Sequence, residues 1–361
     1  MQMITAPGAV RKTTVRRWLN FSAVTILALA ATDLSARTPE RLQVFPLHDA
    51  NGLIAPKVKT EAVNYLGRKS VRLTMEGADH DGLALLPGTD FQDGVIEADI
   101  ALRNTTPPEV KRPGFIGIAF RVSPDASRYE VFYLRPGNSD APDQAKRNHS
   151  VQYVSEPAFG WYRLRREWPS VYESYAELAL ETWTKVRIEV AGRMAKLYVN
   201  GSAKPSLVVD GLKGEDLHGA VGLWGYTDQE SYFSNVRITP AKAQNVTNGS
   251  DAVGSWEMRY SSDAVGLEAS MELHREGNKL SGTWTGPLGE NRAITGIWRN
   301  GYVELSFMGE WPKDVPDGAP GPVNAFLAGW IDGDSGKGRM RVEGHADGTW
   351  LATRKVAKAG L

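Results

Sequence analysis

The sequence contains no cysteine among its 361 residues. Disulfide bonds, cysteine-liganded metals, cysteine nucleophiles and a lipid anchor on cysteine are therefore excluded. An exported chain without disulfide bonds is typical of a bacterial periplasmic or secreted protein rather than of a small extracellular scaffold. Stability must come from apolar cores, and the apolar content of 42% is sufficient for them.

A strong net charge is also absent, because 42 basic residues balance 42 acidic ones. Residues 1–36 hold four basic side chains and one acidic side chain, which leaves a formal charge of −3 on the rest of the chain. This balance gives no electrostatic argument for a nucleic acid or an anionic membrane as a partner.

The one long apolar run lies near the N-terminus. Basic residues from Arg11 to Arg17 precede the apolar run 21–31, and Leu34-Ser-Ala36 offers the small residues of a cleavage site. This order is typical of a secretory signal peptide, and the run is too short to span a bilayer comfortably. We expect residues 1–36 to be cleaved, leaving a periplasmic or secreted protein without a membrane span. An uncleaved anchor is the alternative.

Several motifs of catalysis and metal binding are missing too. The sequence has no His-x-His, His-Glu-x-x-His or EF-hand run, no phosphate-binding glycine loop and no serine-hydrolase elbow. We therefore predict no cofactor and assign no metal ligands.

Short alternating segments separated by turns fill residues 40–240. Residues 94–103 alternate strictly, so that four apolar side chains share one face, and residues 114–121 are apolar enough for a central strand. About a dozen such segments without a convincing long helix predict an all-β sandwich of two sheets.

Four of these segments resemble the concanavalin A-like lectin/glucanase superfamily. They are Trp183–Gly192, Ala195–Gly201, Gly219–Trp224 and Phe233–Ile238. Within the superfamily the sequence is most similar to laminin-G-like domains and to the bacterial 3-keto-disaccharide hydrolase-like domain. The resemblance implies a jelly-roll fold and a carbohydrate ligand, and it carries over no catalytic residue. Calcium is common in this superfamily, but the sequence locates no structural calcium site.

The last third of the chain has a different pattern. Residues 241–252 are polar and aperiodic, which is typical of a linker. Beyond them a Gly-x-Trp element recurs at 254–256, 282–284, 296–298 and 348–350 between alternating strands. About eight strands predict a small antiparallel meander β-barrel over residues 253–356, similar to lipocalin- or avidin-like barrels in this rhythm only. We expect tryptophans to fill it, and the two domains to fold separately.

Residues 129–175 form a polar and aromatic excursion that a sandwich does not need for stability. Long excursions of this kind are usually functional, and aromatic faces can stack on sugar rings. Alternation places Tyr129, Tyr133 and Arg135 on one face of a predicted strand. We predict one sugar-binding groove, with Trp161 and Arg163 of a following strand on its rim. The alternative is that the aromatic side chains of the excursion anchor it to the sandwich. The predicted binding residues are Arg121, Tyr129, Tyr133, Arg135, His149, Gln152, Tyr153, Trp161 and Arg163.

Catalysis in this groove would need a base and an acid. His149 and Tyr153 lie at positions i and i+4 of a predicted strand, where they would share a face. Histidine can act as a base near neutral pH, and jelly-roll polysaccharide lyases use these residue types. Glu156 and Glu173 are the candidate acids nearby. A histidine that only braces the loop through hydrogen bonds is the alternative.

A second carboxylate pair, Glu97 and Asp99, lies on one face of the strand 94–103. Family-16-type glucanases carry a third acidic residue on such a strand, but Leu102 stands at that position here. We therefore interpret the pair as solvent-facing charges. Three functional classes remain open: a glycan-binding module, a glycan-active hydrolase or lyase, and a structural adhesion module.

Overall fold

The computed structural model describes residues 41–75, 80–107, 109–262, 266–313 and 319–355. These residues form 22 strands and two short α-helices, which confirms the predicted all-β class. The predicted signal peptide, residues 1–36, lies outside them. Within the described ranges, no helix is both long enough and apolar enough to cross a membrane.

One layer of the sandwich is an eight-stranded antiparallel sheet. Its spatial order is β12 (Leu207–Asp210), β11 (Met194–Val199), β10 (Thr184–Ala191), β5 (Gly94–Asn104), β14 (Gln229–Pro240), β3 (Arg68–Met75) and β2 (Val58–Tyr65), with β1 (Gln43–Phe45) paired to β14. The alternation predicted for β5 is confirmed, because Ile96, Ala98 and Ile100 are all buried on its inner face.

The second layer is a six-stranded antiparallel sheet. Its spatial order is β4 (Asp81–Leu85), β13 (Ala220–Tyr226), β6 (Ile116–Val122), β7 (Tyr129–Leu134), β8 (Val151–Glu156) and β9 (Glu173–Ser174). The apolar strand β6 is central, as its sequence predicts. Apolar side chains of both sheets form one core between the layers. The predicted two-sheet sandwich is thereby confirmed.

The excursion covers one end of the six-stranded sheet with helical turns. A 3₁₀ turn (Pro136–Asn138) and helix α1 (Gln144–Arg147) connect β7 to β8, and helix α2 (Trp161–Glu167) connects β8 to β9. The strand expected to carry the rim residues Trp161 and Arg163 is wrong, because both residues lie on α2. Leu164 and Trp168 are the buried apolar side chains of this segment, and their spacing of four residues places them on one side of a short helix.

The remaining strands form a closed antiparallel barrel, as predicted. They are β15 (Gly254–Ser262), β16 (Gly266–Glu276), β17 (Lys279–Gly286), β18 (Gly289–Arg299), β19 (Tyr302–Trp311), β20 (Gly321–Asp332), β21 (Ser335–Val342) and β22 (Ala346–Arg354). Each strand pairs with its neighbour in sequence, and β22 pairs with β15 to close the ring. Trp256, Trp284 and Trp350 fill the interior.

The barrel and the sandwich pack against each other within one compact unit. Tyr302 and Trp330 of the barrel belong to the apolar core of the sandwich. The indole Nε1 of Trp330 donates a hydrogen bond of 2.8 Å to the carbonyl oxygen of Leu212, and Nζ of Lys213 donates one of 2.7 Å to the hydroxyl of Tyr302. Separate folding of the two domains stays a prediction.

Candidate functional site

A groove of about 780 Å³ lies on the face of the six-stranded sheet that points away from the eight-stranded sheet. Gly117 of β6 stands between Tyr133 of β7 and Trp224 of β13 in the strand register. A Cβ atom at Gly117 would lie 2.3 Å from the carbonyl oxygen of Phe132, so glycine lets the strands pack here without a clash. The rings of Tyr133 and Trp224 meet above it, with centroids 5.0 Å apart.

One end of the groove is organised around the carboxylate of Asp81. This carboxylate accepts hydrogen bonds of 2.6 Å from the hydroxyl of Tyr129 and of 3.0 Å from Nε1 of Trp224. Burial raises the pKa of Tyr129 far above its usual value, so the phenol remains a donor. Glu156 lies opposite Tyr129 in the β7–β8 ladder. Burial raises the pKa of Glu156, and the charge of Asp81 adds to that rise.

The other end of the groove carries basic side chains. Nη2 of Arg135 donates a hydrogen bond of 2.7 Å to the hydroxyl of Tyr133. Burial raises the pKa of Tyr133 to about 12. Arg165 of α2 donates hydrogen bonds of 2.9 Å and 2.6 Å to the buried carboxylate of Glu173. Glu173 thus holds Arg165 in place at the edge of the groove.

His149 lies at the same end, in the segment between α1 and β8. Its Nδ1 atom is 2.8 Å from Oε2 of Glu173, an ion-pair distance without the alignment of a hydrogen bond. Burial lowers the pKa of His149 and outweighs the opposing effect of the Glu173 carboxylate. The imidazole is therefore neutral at neutral pH and could accept a proton from a bound ligand.

The short helices supply the walls of the groove. Trp161 at the start of α2 is 46% exposed and lines the groove. The guanidinium of Arg165, one turn later, stands 5.0 Å from its ring. In α1, the side chain of Asp143 accepts a hydrogen bond from the backbone N–H of Ala145 and caps the helix. This cap positions Lys146, which is exposed at the mouth of the groove.

The structure brings most of the predicted site together. The predicted residues that line the groove are Tyr129, Tyr133, Arg135, His149, Glu156 and Trp161. Gln152 lies beneath them, fully buried between Tyr133 and Glu173 in the strand register. Their roles in binding or catalysis stay predictions.

The prediction that Arg121 joins the groove is wrong. Its backbone has φ of 52°, next to an irregularity in the β6–β13 pairing, and this conformation interrupts the alternation of side chains along β6. The guanidinium points into the molecule, 3.1 Å from the carboxylate of Asp93 and 3.5 Å from that of Glu130. Arg121 is therefore part of a buried ion-pair network.

The prediction that His149 and Tyr153 share a face is also wrong. His149 precedes β8, whereas Tyr153 lies within it and points between the two sheets. The hydroxyl of Tyr153 donates a hydrogen bond of 2.5 Å to Glu130 and accepts one of 2.7 Å from the backbone N–H of Lys213. Burial raises its pKa well above the usual value. Tyr153 therefore has no access to a ligand in the groove.

Arg163 does not form part of the rim either. It lies on α2 and turns toward the barrel, where Nη2 donates a hydrogen bond of 2.5 Å to Glu304. Its Nε atom bonds to Glu167, one turn later in the helix. The strand assumed for this segment is the source of the error, because in a helix Trp161 and Arg163 point in different directions.

Other groove residues escaped sequence reasoning. Asp81 lies far upstream in β4. Trp224 ends the segment Gly219–Trp224 that carried the family resemblance, and Tyr226 follows it at the end of β13. Their alternation along 222–226 is a signal for one shared face, but only strand order places that face beside β7.

The carboxylates of Glu97 and Asp99 lie on the eight-stranded sheet, away from the groove. Asp99 is 2.7 Å from Arg68, and Glu97 is 3.7 Å from Lys185. Both acids thus pair with basic residues of their own sheet, which agrees with the interpretation as surface charges. In the part of the chain that the structure describes, no group of three or more His, Asp or Glu side chains could hold a metal ion.

No protein-family model matches the chain, and no curated protein matches its sequence. Solved structures similar to it include carbohydrate-binding module CBM66 from Bacillus subtilis, at 14% identity and a TM-score of 0.37, over 52% of this chain and 96% of that one. The β-glucanase of Bacillus licheniformis has 10% identity and a TM-score of 0.35, over 56% and 100% of the chains. The metal-free exoplasmic/lumenal domain of VIP36 has 10% identity and a TM-score of 0.41, over 58% and 95%.

At these TM-scores the likenesses carry no argument about the ligand of this chain. The structure itself shows the two-sheet sandwich that the sequence predicted, with antiparallel sheets of eight and six strands around one core. Membership of the concanavalin A-like superfamily stays a prediction.

Proposed function

We propose that the groove binds carbohydrate and that the protein acts in the periplasm or outside the cell. The observation that carries the proposal is the combination of aromatic faces with fixed polar groups in one groove. Tyr129 and Trp224 are oriented by Asp81, and Trp161 offers a half-exposed ring at the edge. A sugar-binding site needs aromatic or apolar side chains against the faces of the sugar ring. It also needs oriented hydrogen-bond donors and acceptors for the sugar hydroxyl groups. The signal peptide predicted for residues 1–36 supports the location.

A glycan array on the purified full chain tests the proposal. We expect binding to a restricted set of glycans and its loss in Trp161→Ala, because each stacked ring contributes a large part of such a contact. Tyr162→Ala is the matched control, since Tyr162 is 63% exposed, follows Trp161 on the same helix and does not line the groove. Equal binding by both variants, or no glycan bound by the unchanged protein, contradicts the proposal.

One observation favours carbohydrate processing as the second candidate function. Glu156 lines the groove, and both burial and the charge of Asp81 raise its pKa. A carboxylic acid that holds its proton can act as a general acid on a glycosidic oxygen. Product analysis on each bound glycan decides between binding and turnover. If the protein is an enzyme, Glu156→Gln keeps binding and loses turnover; an unchanged rate in that variant removes Glu156 from the mechanism.

A further inference from the structure

The guanidinium of Arg135 is buried without a carboxylate beside it. Its side chain is 5% exposed, and within the described residues no carboxylate lies at salt-bridge distance from it. The rings of Tyr133 and Phe115 stand 5.1 Å and 5.5 Å from its carbon Cζ and offset part of the cost of burial. An unpaired buried charge is nevertheless expensive, and proteins normally pair such charges.

Several buried polar atoms in this part of the molecule have no partner. Nε of Arg135, Oδ1 of Asn138, and both Oε1 and Nε2 of Gln152 are buried and have no hydrogen-bond partner among the described residues. Arg135, Asn138 and Gln152 are each at least nine-tenths buried. Arg135 and Asn138 also line the groove. Buried polar groups in native proteins are usually satisfied, so the unpartnered atoms of these two residues indicate a ligand position.

The charges around Arg135 divide the groove into two ends. Lys146 and Arg165 line the same end as Arg135, and the carboxylate of Glu173 is already engaged by Arg165. His149 adds no negative charge. The acidic residues that line the groove, Asp81 and Glu156, belong to the opposite end. The Arg135 end therefore carries an excess of positive charge, and an anion bound there would not face an unengaged carboxylate.

We propose that the groove takes an acidic sugar, whose oxyanion binds at the Arg135 end while its hydroxyl groups face the Asp81 end. This inference rests on the proposed carbohydrate function and names the class of ligand. The shared chemistry is an oxyanion on a sugar ring, supplied by a uronate carboxylate or by a sulfate ester. The planar fork of arginine matches either group through paired N–H donors, and the free Nε atom of Arg135 is one such donor.

The decisive experiment compares each acidic polymer with its neutral form on the full chain. Titration calorimetry would use polygalacturonate and alginate beside their carboxyl-reduced forms, and dextran sulfate beside dextran. We expect an affinity about 10- to 100-fold higher for an acidic form, the range for charge-assisted hydrogen bonds, and a decrease of that preference with added salt. The polyuronate and sulfate arms distinguish a carboxylate from a sulfate ester.

Two variants locate the effect at the proposed position. Arg135→Gln should remove the preference for the acidic form. Because Arg135 is buried and this variant could fail to fold, Lys146→Gln provides an independent test at an exposed residue of the same end. It should weaken binding of the acidic form by about two- to fivefold, as expected for an exposed charge, and leave the neutral form unaffected. Lys204→Gln is the matched control, since Lys204 is exposed in the connection between β11 and β12 of the other sheet.

The outcomes separate this inference from the proposed function. Equal affinity for acidic and neutral forms overturns the acidic ligand and leaves a carbohydrate groove. A preference that survives in folded Arg135→Gln also overturns it. If that variant does not fold, an unchanged affinity of Lys146→Gln for the acidic form overturns it instead. Failure to bind any acidic or neutral glycan overturns the proposed function itself.

Discussion

Aromatic side chains serve different purposes in the barrel and in the groove of the sandwich. In the barrel, Trp256, Trp284 and Trp350 are at most 1% exposed and fill the interior. In the groove, Trp161 is half exposed, whereas Trp224 lies on the outer sheet face and is 5% exposed. A closed barrel of eight strands has one narrow interior that side chains must fill, whereas an open sheet has a second face that another layer need not cover. Sheet closure, rather than residue type, decides which aromatics remain accessible.

Two of the three barrel tryptophans are also oriented differently from the groove rings. Nε1 of Trp284 and of Trp350 has no partner among the described residues, so packing alone orders these indoles. In the groove, Asp81 accepts hydrogen bonds from both Tyr129 and Trp224. These hydrogen bonds fix the orientation of both rings in addition to packing, and preorganised rings are what a binding surface requires.

The largest expected effect tests the structural role of the barrel tryptophans. Trp284→Ala and Trp350→Ala should each lower the free energy of unfolding by about 3–5 kcal/mol, because each leaves a cavity in a packed interior. Denaturant unfolding of the full chain measures this change. Trp161→Ala should lie within about 0.5 kcal/mol of the unchanged protein, as is usual for exposed positions. Unchanged stability in the barrel variants, together with loss of a bound small molecule, would make the barrel a ligand site.

An intermediate effect is expected at Lys213, where the two regions meet. Its ammonium group is buried against Tyr302 and near Glu304, Glu167, Arg163 and Arg339. Burial lowers the pKa of Lys213 to about 7 from 10.5. Between pH 7 and 10.5 the unfolded chain binds more protons at Lys213 than the folded chain does. The free energy of unfolding therefore rises with pH by up to about 1.4 kcal/mol per pH unit, and it falls by the same amount as the pH is lowered.

Removing the charge tests this dependence. Lys213→Met combined with Tyr302→Phe deletes the ammonium group and leaves no hydroxyl without its partner. At pH 7 the double variant should be more stable by about 1–4 kcal/mol, the range for replacing buried charges by apolar groups. The advantage should shrink as pH rises toward 10. Stability curves that run parallel across this range would show that Lys213 is not the titrating group.

The smallest effect concerns Gly117, which lies beneath the rings of Tyr133 and Trp224. Gly117→Ala should cost about 1–3 kcal/mol, because its Cβ would meet the carbonyl oxygen of Phe132 at 2.3 Å and force β6 and β7 apart. The same shift should change the near-ultraviolet circular dichroism of Tyr133 and Trp224. Gly266→Ala in the barrel wall is the matched control, since the nearest atom to its Cβ would be 4.0 Å away. Equal effects of the two changes would mean that Gly117 has no special role.

The sequence predicted much of the site because β7 obeys simple alternation. Tyr129, Tyr133 and Arg135 were placed on one face correctly, and that face lines the groove. The prediction for Arg121 is wrong because its positive φ interrupts the alternation along β6. No pattern of residue types reveals such a backbone conformation. The prediction for Arg163 is wrong because the seven residues of α2 carry too few apolar positions to distinguish a helix from a strand.

What the sequence determined by itself is therefore local. Period-two patterns specify strands, and the order of hairpins specifies an eight-stranded meander, since both depend on neighbours in the chain. Tertiary structure alone decided which distant strands lie side by side. It placed Asp81 of β4 and Trp224 of β13 beside Tyr129 of β7, and it left Arg135 buried without a carboxylate. Pairings between strands far apart in sequence depend on the packing of two whole sheets around a common core, and no local pattern contains that information.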